Sequence, residues 1–259
     1  MAIYITGDTH ADFGRFTTKR FPEQKGLTKD DIVIILGDFG GVWFNEKMDM
    51  SEENYWLGWL NDKPFTLCYI DGNHENHSRY YTDEFPIVDF HGGKAHKIRD
   101  NIYHLMRGYI FDFEGKKFFA MGGASSHDIK DGILKPSDYK SLKDLARDYN
   151  KRTRSGELLR IDGISWWKEE LPSEEEMQRG ISELEKVGYR VDYVLTHCPN
   201  KEVCKWFGFY DSDSLGDYFD KLIENGLQYS EWWSGHLHKN EYGIYKKHNV
   251  IYQEIKRIE

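Results

Sequence analysis

Five times along the chain, a short apolar run gives way to a tight polar cluster carrying aspartate, asparagine or histidine. Ala2–Thr6 leads into Gly7-Asp8-Thr9-His10, and Ile32–Leu36 into Gly37-Asp38-Phe39-Gly40-Gly41. Phe65–Ile70 leads, after one aspartate, into Gly72-Asn73-His74-Glu75. Tyr193–Leu195 is followed by Thr196-His197-Cys198, and Glu231-Trp232-Trp233 by Gly235-His236-Leu237-His238. The runs are short and rich in β-branched and aromatic residues, so they read as strands. Ile32–Leu36 is apolar throughout, as a strand covered on both faces must be. Between the second and third runs, Tyr55, Trp56, Trp59 and Leu60 recur at helical spacing within Ser51–Leu60, behind a serine cap. Strand, helix, strand is the βαβ unit of an α/β fold. Open α/β sheets place ligands beyond the carboxyl ends of their strands. Strands lying side by side would therefore bring all five clusters to one rim, where glycines permit sharp turns and close backbone approach.

The rest of the chain supports the same class. Tyr109–Phe113 and Lys117–Met121 flank Glu114-Gly115-Lys116, which predicts a hairpin. Ser173 and Glu176 form a capping box ahead of Met177, Ile181, Leu184 and Val187, one apolar helical face. Ser214–Asn225 reads as a helix stopped by Gly226, and Tyr242–Ile255 as a terminal hairpin. Ser125 to Ser173 is the least regular stretch, rich in charge and containing Ser165-Trp166-Trp167. The reading is one domain over residues 1–259 with an insertion or cap at about 125–173.

The chemistry of the clusters is specific. Two aspartates, one asparagine and four histidines supply oxygen and nitrogen without thiolate, a set that suits manganese, iron or zinc better than calcium. Seven such residues are too many for one tetrahedral ion and about right for two ions that share a carboxylate. Each cluster alone is a weak signal, and the ordered set of five is a strong one.

This set resembles the calcineurin-like metallophosphoesterase superfamily, whose pattern runs Gly-Asp-x-His, Gly-Asp, Gly-Asn-His-Asp/Glu, a lone His, then Gly-His-x-His. All five blocks occur in order between Asp8 and His238. The resemblance implies a β-sandwich of two mixed sheets flanked by helices, in four layers, with a dinuclear centre on one rim. It implies one metal on Asp8, His10, Asp38 and His238, and a second on Asp38, Asn73, His197 and His236, with Asp38 bridging. Manganese is the first choice of metal, and iron and zinc are the alternatives. The activity implied is hydrolysis of a phosphomonoester or phosphodiester by a hydroxide shared between the metals, with His74 as general acid. Two metals can acidify that water and clamp the phosphate, and a positioned imidazole can protonate the leaving oxygen.

Departures narrow the class. Gly41 and Val42 stand where the phosphoprotein phosphatase branch carries an Asp and an Arg, and Asp71 stands where that branch carries a second Arg. Protein phosphatase activity is disfavoured, and Arg79 or Arg99 is the expected substitute. Met121–Asp128 and Ser165-Trp166-Trp167 resemble segments of small bacterial and phage members, and His127 is a candidate pocket residue. With a net charge of −9, the chain lacks the basic stripe that grips duplex DNA. Lys140–Arg160 is interrupted by acids and reads as solvated. A small phosphorylated molecule or nucleotide is thus the expected substrate, with nucleic acid less favoured. The other alternative, a scaffold without chemistry, would be expected to have lost ligands or His74. Three cysteines without regular spacing argue against a disulfide framework. No secretory leader or membrane span is evident, so the expected compartment is the cytoplasm. No feature fixes an oligomeric state.

Overall fold

In the computed structural model, which describes residues 1–44, 48–210, 213–245 and 247–258, the apolar runs become strands. In chain order the elements are β1 (Ile3–Thr6), β2 (Ile32–Leu36), α1 (Ser51–Asn61), β3 (Thr66–Ile70), β4 (Ile87–Phe90), β5 (Gly93–Arg99) and β6 (Ile102–Leu105). There follow β7 (Tyr109–Phe113), β8 (Lys116–Met121), β9 (Gly132–Leu134), α2 (Leu142–Arg154), β10 (Leu159–Ile161) and α3 (Glu174–Lys186). The chain ends with β11 (Tyr193–Thr196), α4 (Lys201–Trp206), α5 (Ser214–Glu224), β12 (Glu231–Ser234), β13 (Glu241–Ile244), β14 (His248–Val250) and β15 (Ile255–Ile258).

One mixed sheet has the order β15-β1-β2-β3-β6-β5-β4, and the other β13-β14-β12-β11-β8-β7. Strands β1, β2, β3 and β6 run parallel, as do β8, β11, β12 and β14. Alternating side chains serve two cores at once. Ile5, Ile34, Leu36 and Ile70 meet Phe111, Phe118, Leu195 and Trp233 between the sheets. On the outer face of the first sheet, Val33, Ile35 and Leu67 are covered by Leu57 and Leu60 of α1. On the outer face of the second, Phe119, Val194 and Trp232 are covered by Leu184 of α3 and Leu215, Phe219 and Leu222 of α5. The result is a sandwich of two mixed sheets flanked by helices, as expected.

Local details depart from the sequence reading. Ser51 does not cap α1: it is the first helical residue, and the carboxylate of Asp49 accepts its backbone N–H at 2.9 Å. Ser173 and Glu176 do form the capping box of α3. The terminal segment is only partly a hairpin. β13 and β14 pair antiparallel across a turn whose residue 246 lies outside the described residues, but β15 crosses to pair with β1. Burial drives that crossing, since Ile258 packs between the sheets. The stretch from 125 to 173 is more regular than its composition suggests. It holds the parallel pair β9–β10, helix α2 and a small core of Leu134, Leu145, Leu159 and Ile161.

Candidate metal centre

The carboxyl ends of β1, β2, β3, β11 and β12 come to one rim, and with them all five polar clusters. They are tied together through backbone. Thr9 and His10 donate N–H to the Asp38 carbonyl at 3.1 and 2.8 Å, and Gly235 donates to the His197 carbonyl at 3.0 Å. His10, Asp38, His236 and His238 all have φ between 44° and 66°. Non-glycine residues held there cost free energy and persist where the surroundings enforce them, commonly at functional sites. Two glycines explain how the carboxylates are seated. A Cβ at Gly72 would strike Asp38 Oδ1, and one at Gly235 would strike Asp8 Oδ1.

Side-chain geometry is convergent. His238 Nε2 lies 3.1 Å from Asp8 Oδ2, and His10 Nε2 lies 3.0 Å from His238 Nε2 and 3.7 Å from Asp38 Oδ2. His197 Nε2 lies 3.4 Å from Asp38 Oδ1 and 3.2 Å from His236 Nδ1. Asp8, His10 and His238 each offer a ligand atom, all three within 4.8 Å of one another, and so do Asp8, Asp38 and His197. Each carboxylate also accepts a backbone N–H: His236 donates to Asp8 Oδ1 at 2.9 Å, and His74 to Asp38 Oδ1 at 2.7 Å.

These residues fit a cation site. Asn73 Oδ1 is buried with no hydrogen-bond partner, and Asp8 Oδ2, equally buried, faces only imidazole, His238 Nε2 at 3.1 Å, which calls for an ion or water beside them. Asn73 is oriented from behind, with Nδ2 donating to Ser126 Oγ at 3.2 Å and Ser126 Oγ donating to Glu170 Oε2 at 2.6 Å. His197 Nδ1 faces the Leu36 carbonyl at 2.7 Å, which places the ring's hydrogen there and leaves Nε2 toward Asp38. Among the described residues, no Lys or Arg nitrogen lies within salt-bridge distance of either carboxylate, so imidazoles are the nearest groups able to carry positive charge.

The family model of the calcineurin-like phosphoesterases matches residues 1–240. The chain belongs to that family. At this level it is a metal-dependent phosphoesterase, a hydrolase of phosphorylated substrates, and its family uses a dinuclear metal centre. Among solved structures it is similar to a phosphopantetheinyl hydrolase from Mycobacterium tuberculosis, at 13% identity and a TM-score of 0.46, over 97% of this chain and 88% of that one. No curated protein matches it. Among the described residues, no helix is long and apolar enough to cross a membrane.

The electrostatics of this phosphoesterase's rim follow from burial and charge. Burial opposes ionisation of Asp8 and Asp38, yet His197 above all, helped by His238 at Asp8 and by His74 and His10 at Asp38, holds both below the usual carboxylate range. Against its own burial, His197 is pushed up to about 10, chiefly by Asp38 and then Asp8. His236 is pushed down to about 3 by burial and by the charge of His197, and burial also lowers His10. His10 and His236 thus stand as the neutral imidazoles a divalent ion requires, whereas His197 and His238, raised by the two carboxylates, would give up a proton to a cation that took over that charge.

His74 is within 4.8 Å of His10 and Asp38 as well, so proximity alone would count it a ligand. Its environment separates it. Arg160 Nη2 lies 3.2 and 3.3 Å from its two ring nitrogens, and a guanidinium there repels a cation. Arg160 and its partner Asp128 were not assigned roles from sequence, where Lys140–Arg160 reads as solvated. Asp128 was visible only as the end of the Met121–Asp128 segment. Neither Arg79 nor Arg99 fills the vacant arginine position. Arg79 is spent on Glu53 and Glu84, and Arg99 on Asn54 and the Ile98 carbonyl. His127 does line the cleft, with Nε2 3.0 Å from His236 Nε2.

Proposed function

We propose that this chain hydrolyses a small phosphomonoester or phosphodiester, a nucleotide among the candidates, at a centre of two divalent cations with manganese as the working metal. Asp8, His10, Asp38 and His238 would hold one cation, and Asp38, Asn73, His197 and His236 the other. Bound there, the pair supplies Lewis acidity toward the phosphate and acidifies water. The observation that carries the reading is the unpartnered buried oxygen Asn73 Oδ1 beside the buried Asp8 Oδ2, which faces His238 Nε2, with four imidazoles on a common rim.

The chain's own groups do the rest. Asp8 and Asp38 contribute the negative charge that draws cations, and Asn73 adds an oxygen without adding charge. His74 borders the cleft with Asp38 and Asn73 and delivers a proton from a ring nitrogen to the leaving oxygen. Burial lowers its pKa, with Arg160 adding to that and Asp38 opposing it. A bound phosphate dianion favours the imidazolium and restores the proton. The cleft is about 230 Å³, a scale for small molecules, and the acidic net charge gives no footprint for duplex nucleic acid. The three free cysteines suit a reducing compartment, in keeping with a cytoplasmic enzyme.

The deciding experiment is hydrolysis of p-nitrophenyl phosphate and bis-p-nitrophenyl phosphate by metal-stripped protein refilled with manganese, beside His74→Ala. Wild type should turn over one ester, and the variant should lose roughly 100-fold or more in kcat. Binding of two ions without turnover of either ester, in manganese, zinc or iron, would overturn the reading in favour of a scaffold.

A further inference from the structure

The inserted segment sends one cation to the reaction rim. Arg160, on β10, makes a two-pronged pair with Asp128: Nε donates to Oδ1 at 2.7 Å and Nη2 to Oδ2 at 2.6 Å. Its Nη1 donates to the Ser165 carbonyl at 2.9 Å. Ser165 is fixed in turn, because its hydroxyl accepts the Ile161 N–H at 3.0 Å. Two residues on, Trp167 packs edge-on against Trp43 of the main body, with ring centroids 5.6 Å apart. The guanidinium is therefore clamped on two sides, and its remaining reach ends at His74, whose ring nitrogens lie 3.2 and 3.3 Å from Nη2. Asp128 itself lines the cleft with His74, Asp38 and Asn73.

A clamp of this kind fixes direction. A planar guanidinium held by a carboxylate fork and a carbonyl has little freedom left, so its contact with an imidazole fixes that imidazole too. His74 has no other described side-chain hydrogen bond, and His10 meets its ring only edge-on at 5.1 Å. Among the described residues, no other side chain hydrogen-bonds to the ring.

We propose that Arg160 is a positioning residue for His74, aimed by Asp128 and Ser165, so that the inserted segment completes the reaction site rather than merely covering it. This rests on the phosphoesterase reading above and deepens it. The residue acts through His74, so its effect belongs to leaving-group departure more than to substrate capture.

The test is a double-mutant cycle on the manganese-loaded chain with aryl phosphates of rising leaving-group pKa. Arg160→Gln should lower kcat roughly 10- to 100-fold with KM within about 2-fold, and the loss should grow as the leaving group worsens. In the His74→Ala background the same change should cost less than about 2-fold, because the two residues act as one unit. Asp128→Asn should show the same pattern more weakly. Equal losses in both backgrounds, or a loss confined to KM, would overturn the proposal. A readout independent of turnover keeps it apart from the hydrolase reading: in protein labelled with ¹⁵N-histidine, Arg160→Gln should shift the His74 ring nitrogens and leave the unfolding midpoint nearly unchanged. Unmoved ring signals would sink the positioning role even in an active enzyme. Shifted signals in a protein inert toward every ester would leave the contact standing while the hydrolase reading fell.

Discussion

His197 Nε2 stands 3.4 Å from Asp38 Oδ1, and both side chains are shut off from solvent. They come from different sheets, β11 and β2, so the sandwich itself sets their distance. Asp38 is also the carboxylate assigned to both cations. Asp38→Asn removes the shared charge with almost no change in volume. We expect metal content, measured by elemental analysis after dialysis, to fall from two ions per chain to one or none, and hydrolysis to drop by about 100-fold or more. Retention of two ions with full activity would remove Asp38 from the bridging position.

His127 supports His236 from the solvent side, with its Nε2 3.0 Å from the outer nitrogen of that ring. Partners of this kind fix the tautomer of a ligating histidine, and their loss usually costs 10- to 100-fold in metal affinity. His127→Ala should therefore weaken one of the two metal-binding steps in a calorimetric titration by about that factor and leave the other in place. Two unchanged steps would show that His127 is only a wall of the cleft.

The strand-end clusters were legible because each is local: an apolar run, a turn and a ligand type within ten residues. The two sheets bring these pieces together, and the parallel order β1-β2-β3 beside β8-β11-β12 explains why five separate signals share one rim. What stayed hidden depends on long-range pairing. Arg160 and Asp128 are 32 residues apart, and both lie in a stretch where charge reads as solvation. Arg79 looked available in sequence, but Glu53 in α1 takes it, across 26 residues. Asp71 showed itself only as the residue standing where an arginine was expected, and its role becomes visible once β3 and β6 are paired.

That role is a buried ion pair. Asp71 accepts from Arg107 Nε at 2.9 Å and faces His104 Nε2 at 3.0 Å, and all three side chains are buried. Against its own burial, Asp71 is held far below the usual carboxylate range, by Arg107 first and then His104. Removing one partner leaves an uncompensated buried charge, which typically costs about 3–5 kcal/mol. Arg107→Met should lower the thermal midpoint by roughly 10 °C. Adding Asp71→Asn removes the stranded charge and should recover at least half of the loss. A double variant less stable than the single one would show that Asp71 is held mainly by other groups.

Part of the acid sensitivity should trace to buried histidines away from the metal rim, His248 first among them. It lies fully buried in β14, stacked on Trp232 at 5.3 Å, with Nε2 2.9 Å from Ser234 Oγ and Nδ1 unpartnered among the described residues. Burial pushes its pKa from 6.5 down to about 3. Between those two values the unfolded chain carries a proton on this ring that the folded chain does not. Stability therefore falls as pH drops below about 6.5 and goes on falling until about 3. One such proton corresponds to a slope of about 1.4 kcal/mol per pH unit. His248→Gln removes the titrating group while keeping a polar side chain toward Ser234. Urea unfolding of wild type and variant at several pH values between 4 and 6 should give a variant slope shallower by about that amount. Parallel slopes would mean that the ring is already protonated in the fold, or that the acid response comes from the other buried histidines, His77 and His96, which burial likewise pushes to about 3.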